Sequence, residues 1–148
     1  MKRTLSFILS IVLVISVFMV SERDVNAKTV KKSGYYYTVL RGKKSKGYNI
    51  YTKKFEIKGN KIITYGTFEY GKSEPTGKTI KSRKRTFVLS KKCKYMDGWG
   101  IPGGKKKISK KEAMRLLKFY YQPGDDSATC CIFKVKNGKV VKFMMGQS

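Results

Sequence analysis

Residues 108–124 read Ile-Ser-Lys-Lys-Glu-Ala-Met-Arg-Leu-Leu-Lys-Phe-Tyr-Tyr-Gln-Pro-Gly, and this stretch predicts the helix around which we expect the fold to form. Ser109 and Glu112 have the spacing of a capping box, in which Ser109 accepts a hydrogen bond from a free backbone N–H of the first turn. Pro123 and Gly124 predict the end of the helix, so we expect it over residues 109–121. Its apolar face follows at helical spacing: Ala113, Leu116, Leu117 and Tyr120.

The rest of the chain has the composition of strands and loops. Two-residue turns at Gly59-Asn60 and Asn137-Gly138 predict two hairpins, the first with Ile57 opposite Ile62. Residues 71–84 and 91–107 are polar or irregular, and we expect loops there. The segments with β-favouring residues or alternation are 34–40, 55–57, 61–70, 86–89, 129–136 and 139–145.

The order of these elements predicts a mainly β fold with one α-helix. The succession β-β-β-β-α-β-β, taken as one extra strand followed by five, matches a small OB-like antiparallel barrel, in which one helix closes the barrel before the last two strands. A lone Gly66 inside a strand is typical of the bend or bulge that such a barrel needs. The alternative is an open antiparallel sheet with the helix packed on one face.

The first 27 residues have the features of a secretory signal peptide. Lys2 and Arg3 precede 14 mostly apolar residues, and Val25-Asn26-Ala27 supplies the small residues that a signal peptidase recognises. A helix of 14 residues spans about 21 Å, which is short of the roughly 30 Å hydrocarbon core. We therefore expect cleavage after Ala27 and a secreted, monomeric single domain of residues 28–148, with an uncleaved membrane anchor as the alternative.

The charge of the chain is strongly positive. It contains 34 Lys and Arg, nine Asp and Glu and no His, a net charge of +25. Three of the basic and two of the acidic residues lie before Lys28, so residues 28–148 keep 31 basic and seven acidic residues and a net charge of +24. Charge of this size attracts polyanions, and it is the basis for expecting an anionic partner and charge-dependent retention at the cell envelope.

The residue inventory argues against an enzyme. No His is present as a general base or metal ligand, and the Asp125-Asp126 pair supplies too few oxygens for a cation. Glu56 and Glu69 on neighbouring strands lack the apolar pocket that a catalytic acid needs. Cys93 lies between two lysines, an arrangement that lowers a thiol's pKa, but it has no base. We predict no catalytic residue, no metal and no cofactor.

The three cysteines leave the redox state open. Export permits a disulfide, and Cys93 paired with Cys130 or Cys131 would close a loop of about 38 residues. Three unpaired thiols are the alternative.

Basic clusters interleaved with aromatic residues make binding the favoured function. OB-type domains hold polymers in basic grooves with aromatic platforms. We predict a non-catalytic domain that binds an anionic cell-envelope polymer or another polyanion: wall phosphate polymers, anionic lipids, acidic glycans or nucleic acid. Tyr95 and Trp99 are the stacking candidates, and the electrostatic candidates are Arg41, Lys43, Lys44, Lys81, Arg83, Lys84, Arg85, Lys105, Lys106 and Lys107.

A protein–protein module, such as an inhibitor or accessory subunit, is the second hypothesis. The Gly-rich segment 97–104 carries Trp99, a residue type favoured at the centre of interfaces.

The chain also resembles small exported proteins of Gram-positive bacteria that have no assigned activity. The resemblance rests on the signal segment, the 55–70 hairpin, the helix start at 108–117 and the closing Val135-Lys136-Asn137-Gly138-Lys139-Val140 hairpin. It implies export and an OB-like β architecture, and it implies nothing about chemistry.

Overall fold

The computed structural model describes residues 27–41, 49–98, 106–121 and 129–147 of the chain. These residues form one helix among strands, so the prediction of a mainly β protein with one helix is confirmed. The elements are β1 (Lys28–Thr29), β2 (Gly34–Leu40), β3 (Thr52–Lys58), β4 (Lys61–Gly71), β5 (Lys78–Asp97), β6 (Lys106–Ile108), α1 (Lys110–Tyr120), β7 (Thr129–Lys136) and β8 (Lys139–Gln147).

Five strands are paired in a cycle that returns to its starting strand. β2 pairs with β4, β4 with β5, β5 with β8, β8 with β7, and β7 with β2. All these pairs are antiparallel except β5 with β8, which is parallel. β3 extends the sheet from β4, while β1 and β6 add to β5.

The strand β5 is much longer than the sequence predicted. We expected a loop over 71–84, a short strand at 86–89 and irregular structure from 91, but β5 runs without a break over 20 residues. Its first half pairs with β4 and its second half with β8. The loop expected over 71–84 is present over residues 72–77. From Lys78 onward the expectation of loops was wrong, because residues 79–84 alternate between exposed and half-buried positions and pairing first with β4 and then with β8 satisfies the backbone.

Both predicted hairpins are confirmed, including the register of the first, where Ile57 lies opposite Ile62. In the second, Asn137 and Gly138 have positive φ angles of 51° and 72°, as a tight two-residue turn requires. The register between β7 and β8 shifts by one residue, because Lys134 pairs with Lys142 whereas Val135 pairs with Val140. This bulge keeps apolar residues of β8 in the core on both sides of the shift.

The helix has the predicted N-cap but only half of the predicted capping box. Ser109 Oγ accepts a hydrogen bond of 3.1 Å from the Glu112 N–H. The Glu112 carboxylate instead accepts from the Arg115 guanidinium at 2.7 and 2.9 Å, and this bond holds the pKa of Glu112 below its usual range. The helix ends at Tyr120, while Pro123 and Gly124 lie outside the described residues.

The helix and the strands bury one apolar core. Ala113 and Leu117 are fully buried, as the apolar stripe predicted, and Phe87 and Phe133 stack with ring centroids 4.1 Å apart. Every core residue that the structure describes lies between Val30 and Met145, so a chain beginning at Lys28 contains all of them. Among the described residues, no helix is long and apolar enough to cross a membrane.

All three cysteines are free thiols, the second of the two alternatives that the sequence left open. β8 lies between β5, which carries Cys93, and β7, which carries Cys130 and Cys131. Two strand spacings amount to about 9.5 Å, beyond the roughly 7 Å that a disulfide spans between Cα atoms.

Candidate anion-binding site

Two adjoining clefts lie at the end of the strand cycle where β2 begins and β4 and β7 end. The first has a volume of about 730 Å³ and the second about 670 Å³. Lys32 and Tyr70 line both, so the clefts share a wall. The other cations are Lys28, Lys31, Arg83 and Arg85 in the first cleft, and Lys72, Lys134 and Lys136 in the second.

The segment that follows Ala27 builds much of the first cleft. β1 pairs in parallel with β5, with Lys28 opposite Arg85, and the Val30 N–H donates to the Thr86 carbonyl at 3.0 Å. Val30 is buried in the core and anchors the segment there. Farther along, Ser33 Oγ accepts a hydrogen bond of 3.2 Å from the backbone of the last hairpin turn. The segment therefore crosses from β5 to the turn between β7 and β8.

Two tyrosine hydroxyls hold this segment in place by hydrogen bonds to its backbone carbonyls. Tyr36 donates to the Lys32 carbonyl at 3.0 Å, and Tyr70 donates to the Ser33 carbonyl at 2.7 Å. Gly34 adopts a φ of 142°, and a Cβ at this position would lie 2.6 Å from the Tyr70 ring. Glycine is thus required for the chain to pass this closely over the ring. The Lys32 ammonium lies 4.1 Å from the centroid of the same ring.

Arg85 forms part of the first cleft and is 1% exposed. Its guanidinium donates to three backbone carbonyls, those of Gly66 at 2.8 Å, Lys81 at 2.6 Å and Arg83 at 3.3 Å. Its Nε atom is buried and has no hydrogen-bond partner in the part of the chain that the structure describes. No carboxylate of the described residues neutralises this cation. The central carbon of the guanidinium, Cζ, lies 5.0 Å from the centroid of the Phe68 ring.

The electrostatics of the site therefore consist of cations without counter-charge. Among the described residues, none that lines either cleft is Asp or Glu. Burial, and then repulsion from Arg83, lower the pKa of Arg85 from 12.5 to about 10. Burial and the neighbouring Tyr70 raise the pKa of Tyr36 to about 12, so its hydroxyl remains a neutral donor at physiological pH.

A buried cation with no partner is costly. Removal of a charge from water costs several kcal/mol per ion, and backbone carbonyls offset only part of that. An anion entering the cleft would supply the missing counter-charge. The arrangement is suited to binding phosphate, sulfate or carboxylate groups.

The predicted electrostatic residues are only partly brought together. Arg83 and Arg85 line the first cleft, and Lys81 contributes its carbonyl to Arg85. Lys84 lies opposite Tyr65, on the other face of the sheet from Arg85. The remaining candidates are elsewhere: Arg41 is buried, Lys106 and Lys107 lie on β6, and Lys43, Lys44 and Lys105 are outside the described residues.

Of the two stacking candidates, Tyr95 is buried and Trp99 lies outside the described residues. The Tyr95 ring packs edge-on against Phe143 in the core. Burial raises the pKa of its hydroxyl, which also bonds the Cys93 thiol. A ligand therefore has no access to its ring, and the aromatic residues of the clefts are Tyr35, Tyr36 and Tyr70.

Sequence reasoning missed all six lysines that line the clefts because they are scattered in the chain. Lys28, Lys31 and Lys32 precede a run of three tyrosines, and Lys134 and Lys136 lie beside the last predicted turn. A signal was present in both places, since lysines lie within a few residues of aromatic ones there: Lys31 and Lys32 before Tyr35, and Lys134 after Phe133. What the sequence did not indicate is that the two places meet, which depends on the pairing of β2 with β7.

The two alternatives for chemistry gain no support from the geometry. Glu56 lies opposite Ile63 and Glu69 opposite Thr79, so the two carboxylates are separated along β4 by about 20 Å, too far for a glycosidase pair. Burial raises the pKa of Cys93 to about 11 and outweighs the opposite effects of the Tyr95 bond and the Lys110 charge. Within the described ranges, no three Cys, Asp or Glu residues come together as metal ligands.

Comparison of the chain with models of protein families, with curated proteins and with solved structures finds no match in any of the three.

Proposed function

We propose that this protein is an exported, non-catalytic domain that binds anionic polymers, and that the two clefts are its binding groove. The observation that carries the proposal is Arg85, a cation that is 1% exposed, lines a cleft and has no carboxylate partner among the residues that the structure describes. The surrounding lysines add charge that remains accessible to a ligand. Wall phosphate polymers, acidic glycans, anionic lipid head groups and nucleic acid all carry the required anions.

The shape of the site favours a chain over a single small ion. The clefts adjoin at Lys32 and Tyr70, so successive anionic groups of one polymer can occupy both. Lysines bind phosphates as point charges and release condensed counterions, so the affinity should fall steeply with salt.

We interpret the strand cycle as an OB-type barrel. In support, the five strands of the cycle follow one another as β2, β4, β5, β8 and β7, which is the order first, second, third, fifth and fourth in the chain. The third and fifth strands, β5 and β8, are parallel, and α1 lies in the chain between the third and the fourth. OB-type domains bind polymers at the second and third strands and at the loop between the last two. Here those elements are β4, β5 and the 137–138 turn, and the groove adjoins all three.

Export is part of the proposal and rests on the sequence features of residues 1–27. An anionic envelope polymer is the partner that a secreted protein of this charge would meet first, and charge alone would retain it there.

The test compares two variants that lose the same charge at different places. The groove variant carries Lys31→Gln, Lys72→Gln, Arg83→Gln and Lys136→Gln, and the control variant carries Lys54→Gln, Lys91→Gln, Lys110→Gln and Lys111→Gln. All eight side chains are exposed, so neither set should cost much stability. Binding of a fluorescent oligothymidylate and of long-chain inorganic polyphosphate is measured by anisotropy between 50 and 300 mM salt, roughly the range over which counterion release is visible.

We expect the groove variant to lose affinity for both polymers and the control variant to lose little. Single-stranded nucleic acid contributes a salt slope of about 0.7 per phosphate contact, so losing four contacts should flatten the slope by about 3. Equal losses in the two variants would show that the whole basic surface binds, and would overturn the groove. Salt-independent binding would overturn the electrostatic mechanism.

A protein partner is the second candidate, and one observation favours it. Phe119 is 61% exposed near the end of α1, on a different element from the clefts. In the same binding assay, Phe119→Ser should leave polymer affinity unchanged. Loss of a protein partner with polymer binding intact would support a separate interface.

A further inference from the structure

The wall of the first cleft begins at the residue that signal cleavage is predicted to expose. Lys28 lines this cleft and lies opposite Arg85 in the parallel pairing of β1 with β5. The Val30 nitrogen donates to β5, and the nitrogen of Lys28, two residues earlier, faces the same side because strands repeat every second residue. The backbone nitrogen of Lys28 therefore faces β5, at the border of the cleft that this residue lines.

We propose that hydrolysis of the Ala27–Lys28 peptide bond completes the anion-binding site by creating an ammonium group at this wall. Water adds across the amide, Ala27 leaves with the new carboxylate, and Lys28 keeps the nitrogen, which takes up a proton to become the α-ammonium. In the uncleaved chain the same nitrogen is a neutral amide. The inference rests on the proposed function and on the predicted cleavage after Ala27.

The new charge lies among cations, so it acts on an anion together with them. An α-amino group ordinarily has a pKa of about 7.7–8.0; neighbouring cations lower this pKa and a bound phosphate raises it, so phosphate binding favours the charged form at neutral pH. A phosphate group in the cleft would accept a charge-assisted hydrogen bond from it. The charged and titratable side chains that line the cleft around it are that of Lys28 itself, Arg83 and Arg85 of β5, Lys31 and Lys32 of its own segment, Tyr36 of β2 and Tyr70 of β4.

The test moves the ammonium group without changing the net charge. One protein begins at Lys28, and the other carries seven neutral Gly and Ser residues before Lys28, which displace the α-ammonium by up to about 23 Å. Both contain every described core residue. Calorimetric titration with inorganic tripolyphosphate at pH 7 should show binding about tenfold tighter for the protein beginning at Lys28, as expected of one charge-assisted hydrogen bond.

A pH series separates charge from any structural effect of the extension. The advantage of the protein beginning at Lys28 should disappear by about pH 9.5, because the α-amine is then neutral. An advantage that persists at that pH would come from the extension disturbing β1, and would overturn the inference. Equal affinity of the two proteins at pH 7 would overturn it while leaving the proposed groove in place. Failure of both proteins to bind tripolyphosphate or polyphosphate would overturn the proposed function as well.

Discussion

Arg85 is a charged residue that is buried at a strand position where the sequence pattern calls for an apolar one. It sits on a strand position that faces the interior, opposite Thr64, where an apolar residue would fit the alternation. Its three hydrogen bonds go to backbone carbonyls, which do not cancel its charge. An unpaired buried cation is rarely kept for stability, since apolar replacements of buried charges are often neutral or stabilising. We therefore attribute it to ligand binding.

Substitution of Arg85 should separate the charge from the hydrogen bonds. Wild-type protein should gain about 2.7 kcal/mol of unfolding free energy when tripolyphosphate is added at 100 times its Kd. Arg85→Met removes the charge and should lose most of this gain, whereas Arg85→Lys keeps the charge and should retain most of it. Urea unfolding with and without tripolyphosphate measures the gain, and the phosphate-free curves confirm that each variant folds. A full gain in Arg85→Met would contradict the role of Arg85.

Cys93 should be an unreactive thiol despite its lysine neighbours. Burial raises its pKa to about 11, and the side-chain bond with Tyr95 and the charge of Lys110 lower it by less. At pH 8 only about one thiol in a thousand is then ionised, against roughly a quarter for a free cysteine of pKa 8.5. Labelling should be slow at neutral pH, and its rate should rise tenfold per pH unit up to about pH 11. Rapid labelling of the folded protein at pH 7 would contradict this environment.

The N-cap of α1 at Ser109 is a feature that the sequence predicted correctly. Ser109 and the first-turn N–H lie within a few residues, so local chemistry decides their geometry. Ser109→Ala should lower the free energy of unfolding by about 1 kcal/mol, and Ser109→Asp, which keeps a capping oxygen, should restore it. Equilibrium urea unfolding measures both. Equal free energies of unfolding for Ser109→Ala and Ser109→Asp would mean that the Ser109 cap does not contribute to stability.

The bulge in β4 depends on Gly66. The register between β4 and β5 shifts between Gly66 and Phe68, and a Cβ on Gly66 would lie 2.2 Å from the Tyr51 carbonyl oxygen. Gly66→Ala should therefore destabilise the protein by more than about 3 kcal/mol, since backbone must move. At Gly59 an added Cβ would meet no atom within 4 Å, so Gly59→Ala should lower the free energy of unfolding by only about 1 kcal/mol, because of the φ of 58° there. Similar losses in the two variants would contradict the close packing at the bulge.

Across the molecule, the sequence predicted local elements and missed what depends on distant pairing. The two hairpins and the helix follow from turns, caps and periodicity, which act over a few residues. The long β5 was missed because its pairing with β4 and with β8 is not visible locally. The groove was missed for the same reason, since Lys32, Lys72 and Lys134 come from three distant segments. Arg85 was among the predicted residues only as one charge in a basic run.

A net charge of +24 on residues 28–148 makes weak binding of polyanions expected everywhere on the surface. The proposed groove differs from this general attraction because binding there should be confined to the groove residues. An ¹⁵N-labelled protein of residues 28–148 is titrated with inorganic tripolyphosphate in 150 mM salt, which screens exposed charges beyond about 8 Å. We predict that the saturable amide shifts concentrate in residues 28–36, around Tyr70 and Arg85, and in residues 134–138. Shifts spread evenly over the basic surface, or centred on the lysines of β6 and α1, would contradict the groove.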